Sequence, residues 1–131
     1  MKTSAMLKTD PNPASYQGAL ASCIDACFEC AQCCTACADA CSGGEHCDQM
    51  KSCIRIDLDC ADICTATARA LSRQTQPNVD LLRALIEACR TACRVCGEEC
   101  RSHGDKHEHC KICGECCEAC EQACEKLLSA F

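Results

Sequence analysis

Cysteines recur along this chain in alternating steps of four and three. Cys23, Cys27, Cys30, Cys34, Cys37 and Cys41 follow one another at steps of 4, 3, 4, 3 and 4. Cys89, Cys93, Cys96 and Cys100 continue the alternation, as do Cys110, Cys113, Cys117, Cys120 and Cys124. An α-helix turns once every 3.6 residues, so each series lies on one helix face, whereas a strand alternates every two residues and would scatter it. Positions spaced this way are the inward a and d positions of a helical bundle.

Breaks divide the chain into four helical lengths. Pro11 and Pro13 precede Ser15, which reads as an N-cap. Gly43-Gly44, the stretch from Gln74 to Asn78 with Pro77, and the stretch from Ser102 to Asp105 with Gly104 are turn chemistry. The segments between them, 15–42, 46–72, 78–102 and 106–129, are each about 25 residues, or about 37 Å as helix. Short connections make successive helices antiparallel. The expected fold is all-α: an antiparallel four-helix bundle with a cysteine-lined core over 15–131, preceded by a flexible segment over 1–14.

The second helix carries less sulfur. In the same register it presents His46, Met50, Cys53, Asp57, Cys60, Cys64, Thr67 and Leu71. An acid at an inward position is costly unless it is hydrogen-bonded, paired or bound to a cation. Asp57 therefore reads as a ligand, as a hydrogen-bonded core acid, or as the sign of a helix rotated toward water. Cys33, Cys47 and Cys116 sit one residue beside their seams and are counted with them as candidate metal ligands.

Composition supports a core built of sulfur. Of 131 residues 21 are Cys, against no Trp, one Tyr and two Phe. Cysteine packs as a small hydrophobe, but Leu or Ile would fill a core better and would not oxidise. The opening residues, MKTSAMLKTDPNPAS, show no export signal, and no stretch of about 18 apolar residues could span a bilayer. A cytoplasmic, reducing setting is thus expected, where cysteine patterns bind metal more often than they form disulfides. The net charge of −6 disfavours nucleic acid as a partner.

Antiparallel packing gives the bundle two unlike ends. One collects Leu20, Leu71, Leu81, Leu82, Leu127 and Leu128. The other collects Cys41, His46, Cys47, Met50, Cys100, His103, His107, His109 and Cys110, with all four histidines. Neighbouring seam cysteines lie about 5–6 Å apart at Cβ, so one helix can offer two sulfurs to one ion. Soft thiolates select Cu(I), zinc or iron–sulfur clusters. Copper(I) suits paired sulfurs on a rigid helix. Zinc prefers four ligands in a tetrahedron, and iron–sulfur ferredoxins use loop motifs ending in Cys-Pro, absent here. Storage of many Cu(I) ions is the expected function, with an iron–sulfur electron carrier or a zinc-thiolate buffer as the alternatives. Rows of equivalent thiols lack the single activated sulfur of a catalyst, so no enzymatic activity is expected. His103 and His107 are expected to receive copper, and His109, Cys53 and Asp57 to hold ions just inside.

The chain resembles the bacterial copper storage proteins, specifically their cytosolic branch. The resemblance runs from about Ser15 to Leu128. It rests on CxxxCxxCxxCCxxCxxxC from Cys23 to Cys41, CxxxCxxCxxxC from Cys89 to Cys100, and HxxxHxHCxxCxxCCxxCxxxC from His103 to Cys124. It implies a homotetramer of four-helix bundles, multiple Cu(I) ions along each core, and copper uptake at the histidine end, with a copper chaperone as a candidate partner. Apolar stripes beside the seams, Ile54, Leu58 and Ala61 on the second helix and Leu81, Leu85, Ala88, Ala92 and Val95 on the third, independently suggest self-association.

Overall fold

A computed structural model describes residues 1–131. It contains α1 (Thr3–Thr9), α2 (Gln17–Gly43), a 3₁₀ turn (Cys47–Met50), α3 (Lys51–Leu71), α4 (Val79–Ser102) and α5 (Glu108–Ala130), with no strands. The four long helices close into a ring: α2 packs on α3, α3 on α4, α4 on α5, and α5 on α2. No helix is long and apolar enough to cross a membrane.

Local chemistry explains two of the helix ends. α4 starts at Asn78, whose Oδ1 accepts the Leu81 amide at 3.0 Å and so satisfies one of the helix's orphan N–H groups. α2 stops at Gly43-Gly44. Ser15 is not the cap of α2. That position falls to Tyr16, which offers no side-chain bond, and its ring packs 5.3 Å from that of Phe131 instead. The start of the second helical segment is the tighter 3₁₀ turn, which brings buried Met50 under the mouth.

The segment expected to be flexible carries α1. Leu7 is buried against the bundle, and Thr3 bonds Asp25 of α2. Gln74, in the α3–α4 connection, ties this segment down. Its Nε2 donates to the Leu7 carbonyl at 3.0 Å, and its Oε1 accepts from the Ala14 amide and the Gln17 side chain at 2.9 and 2.8 Å. The polar groups of a connecting loop are thereby satisfied inside a contact.

The closed end is apolar as expected, with Leu20, Ile24, Leu71, Leu82, Ile86 and Leu127 buried there. Leu81, read as part of that end, is instead two-thirds exposed. At the other end, α4 and α5 approach closely through two glycines. A Cβ on Gly97 would lie 3.3 Å from Cys117 Cβ, and Arg101 lies across both Gly97 and Gly114.

Candidate metal centre

All eighteen seam cysteines point inward and are buried, with at most 3% of their surface exposed. All 21 cysteines are free thiols. The register read for the second helix holds too: Cys53, Asp57, Cys60, Cys64, Thr67 and Leu71 are buried together on α3. Asp57 is fully buried, so it does not turn to water.

The sulfurs form a connected network through the core. Cys27 lies 3.7 Å from both Cys89 and Cys120. Cys64 reaches Cys89 at 3.8 Å and Cys93 at 3.7 Å. Cys34 sits 3.7–3.8 Å from Cys30, Cys96, Cys113 and Cys117. A metal–thiolate bond of about 2.3 Å separates two sulfurs on one ion by about 3.8 Å at a tetrahedral angle and about 4.0 Å at a trigonal one. The observed spacing is therefore already that of ligands sharing an ion.

Groups of four can be drawn around potential ion positions: Cys27/Cys89/Cys120/Cys124, Cys30/Cys64/Cys93/Cys120, Cys30/Cys34/Cys60/Cys117 and Cys34/Cys96/Cys113/Cys117. Successive groups share members. Cys120 belongs to the first two, Cys30 to the second and third, and Cys34 and Cys117 to the last two. Shared corners require sulfurs that bridge ions, which soft thiolates do. An isolated structural zinc site has four ligands of its own.

Toward the mouth, harder donors join. Asp57 Oδ1 accepts from the thiols of Cys96, Cys100 and Cys113 at 3.1, 3.4 and 3.5 Å. Its Oδ2 faces Cys53 at 3.8 Å. Burial, and then the charge of nearby Cys113, push the Asp57 carboxyl up from 3.8 to about 7. Among the thiols, donor bonds divide the roles. Hydrogen bonding with Cys117 lowers Cys30, while hydrogen bonding with Cys113 raises Cys34. His109 Nδ1 lies 3.4, 3.5 and 3.9 Å from Cys37, Cys110 and Cys41, and the four form a further group.

A family model for copper storage proteins matches residues 16–129. This chain belongs to the copper storage protein family. Among solved structures, the copper storage protein Ccsp from Streptomyces lividans, loaded with 10 copper equivalents, is 46% identical with a TM-score of 0.96, the match covering 98% of this chain and 99% of that one. A cytosolic copper storage protein from Streptomyces lividans with five coppers is 51% identical with a TM-score of 0.86, over 87% of this chain and 95% of that one. No curated protein matches in a sequence search.

Within this copper storage protein, the structure corrects one expected grouping. His109 was expected to reach toward Cys53 and Asp57 of α3. It turns instead to Cys37 and Cys41 of α2, because α5 packs beside α2 and α3 lies across the ring. Asp57 forms a separate group one layer deeper. All four histidines lie at the mouth. His103 is half-buried and its Nε2 sits 3.3 Å from Glu99 on the preceding turn. The rings of His107 and His109 are 5.5 Å apart. Cys47 is half-buried in the 3₁₀ turn. Cys33 and Cys116 leave the core and face each other across the α2–α5 seam at 2.8 Å. That pairing, and the role of Gln74, were not read from the sequence.

Proposed function

We propose that this chain stores Cu(I) in the cytoplasm, without enzymatic activity, by taking ions in at the histidine end and holding them on the eighteen seam thiolates. The observation that carries the proposal is the network of sulfurs at ion-sharing distance, with successive four-ligand groups sharing corners. Thiolates that bridge accommodate more ions than sulfurs divided into separate tetrahedra. Asp57 and His109 supply oxygen and nitrogen donors to the ions nearest the mouth. His103, His107 and Cys47 line the approach, where a copper chaperone would deliver its ion.

Charge balance supports the same reading. Each Cu⁺ that displaces a thiol proton leaves the net charge of the core unchanged. At one ion per thiolate a file of Cu⁺ therefore builds up no net charge, whereas Zn²⁺ at that ratio would leave one positive charge per ion. Beyond the last seam cysteines the closed end is packed mainly with Leu and Ile and offers no thiol or imidazole.

The chain also acts as a homo-oligomer, a tetramer on the family pattern. An apolar groove runs between α3 and α4, lined by Ile56, Ile63, Ala84, Ala88, Ala92 and Val95. The expected α3 stripe of Ile54, Leu58 and Ala61 does not line this groove, and Ala61 is buried in the core; Ile56 and Ile63 take its place, while Val95 of the expected α4 stripe is exposed there. The bundle already has its core, so an apolar groove on its outside supports a contact between copies.

Titration of the reduced metal-free protein with Cu(I), against a chromophoric Cu(I) chelator, tests storage. Saturation is expected on the order of twenty ions per chain, about one per thiolate. Saturation near five would mean separate four-sulfur sites and would refute the shared-sulfur store.

A further inference from the structure

Two of the three cysteines beside the seams are not scattered. α2 carries Cys30-x-x-Cys33-Cys34 and α5 carries Cys113-x-x-Cys116-Cys117. The helices are antiparallel neighbours, and the repeated CxxCC places the extra cysteine of each at the same level. Cys34 and Cys117 turn into the core, where they stand 3.7 Å apart. Cys33 and Cys116 turn outward and meet at the surface of the α2–α5 seam, both half-buried.

Their separation differs in kind from that of the core sulfurs. The core neighbours stand at 3.7–4.0 Å. Cys33 Sγ and Cys116 Sγ stand at 2.8 Å. For one ion with bonds of about 2.3 Å, that spacing would demand a sulfur–metal–sulfur angle of about 75°, far below the tetrahedral or trigonal value. It lies instead within a small side-chain rotation of a sulfur–sulfur bond of about 2.05 Å.

We propose that Cys33 and Cys116 are an oxidation site separate from the copper store, a dithiol that closes to a disulfide joining α2 to α5. The co-reactant is a low-molecular-weight disulfide, RSSR. The thiolate of one cysteine attacks RSSR, forms a mixed disulfide and releases one RS⁻. The facing sulfur then attacks the protein side of that mixed disulfide and expels the second RS⁻. Two protein thiols are oxidised, RSSR is reduced to two RSH, and the two thiol protons pass to the leaving thiolates. The half-exposed position gives RSSR access for the first attack, though burial raises both thiols and slows it, and the 2.8 Å contact favours the second attack over release of the mixed disulfide.

The site is independent of storage, so storage and oxidation can be read separately. The full chain, loaded with Cu(I) so that the core thiolates are occupied, is incubated with glutathione disulfide, alkylated, and mapped by mass spectrometry. A Cys33–Cys116 cross-linked peptide and an intact mass lower by two hydrogens are expected, with the copper count unchanged. Cys33→Ser should remove the cross-link and leave a glutathione adduct on Cys116, because the second attack is lost. The proposal is overturned if wild-type Cys33 and Cys116 both remain free to alkylate. It is equally overturned if a Cys33→Ser/Cys116→Ser variant binds at least one copper ion fewer than wild type, since the pair would then belong to the store.

Discussion

Replacing Asp57 with Asn should make the metal-free protein more stable at neutral pH and remove much of its pH dependence. Asp57 is fully buried among thiols, and its carboxyl is raised from 3.8 to about 7. The folded state therefore holds a proton that the unfolded chain gives up above about pH 4. For an acid raised in this way, the stabilising effect is complete at low pH and lost as pH rises from the unfolded value through the folded one. The whole change is worth about 4 kcal/mol at 1.36 kcal/mol per pKa unit. About 2.5 kcal/mol of it falls between pH 5 and pH 7.5. Asn keeps an oxygen for Cys96, Cys100 and Cys113, and its amide can donate to the Cys53 sulfur now facing Oδ2. Urea unfolding of the reduced apo-protein, followed by helical circular dichroism at the two pH values, reads the difference. The wild type should lose about 2.5 kcal/mol more than the variant on going from pH 5 to pH 7.5. If both lose the same amount, Asp57 is not the titrating group and its carboxylate is accommodated in the core at no cost.

Replacing His103 and His107 together with Ala should slow Cu(I) loading several-fold in stopped-flow mixing while leaving most of the capacity, because the seam thiolates remain. An unchanged loading rate would mean that copper reaches the core elsewhere than at the mouth. Light scattering at micromolar concentration should show a species of about 56 kDa, four chains of 14.1 kDa. A species at the mass of one chain alone would leave the apolar α3–α4 groove as a wide core stripe and no interface.

The sequence carried the seams with little ambiguity because one residue type repeats at the helical period. Every seam cysteine is buried where its register placed it, and so is Asp57, the one acid in a seam. What escaped depends on contacts between distant segments. α1 is seven residues long, too short to be stable alone, and it is held by Leu7 and by Gln74 about sixty residues away. Gln74 lies in a stretch whose composition reads only as a turn. The direction of His109 was misread. It sits one residue before the seam, so it leans toward one of the two helices beside α5, and in a ring of four sequential helices those are α2 and α4, with α3 diagonal whichever the handedness. Gly97 and Gly114 lie inside helical segments, where glycine reads as a weak point. Only the close approach of α4 and α5 gives them a purpose.

Sulfur plays two parts in this bundle, and the spacing lets both use one backbone. Without metal, neutral thiols fill the core as small hydrophobes and exchange weak S–H contacts at 3.7–4.0 Å. With metal, the same distances suit sulfurs on a shared ion, so loading replaces protons and does not require the helices to move. A Leu core would be better packed but could not make this exchange. The donors also change along the axis. The deep groups are sulfur only, while those near the mouth include Asp57 oxygen and His109 nitrogen. Copper(I) prefers the softer donor, so on the proposed reading ions next to Asp57 and His109 are held less firmly than those around Cys27, Cys89 and Cys120. The closed end blocks any other exit with Leu and Ile. The firmest sites are then the last to empty, and the loosest are those a withdrawing partner meets first.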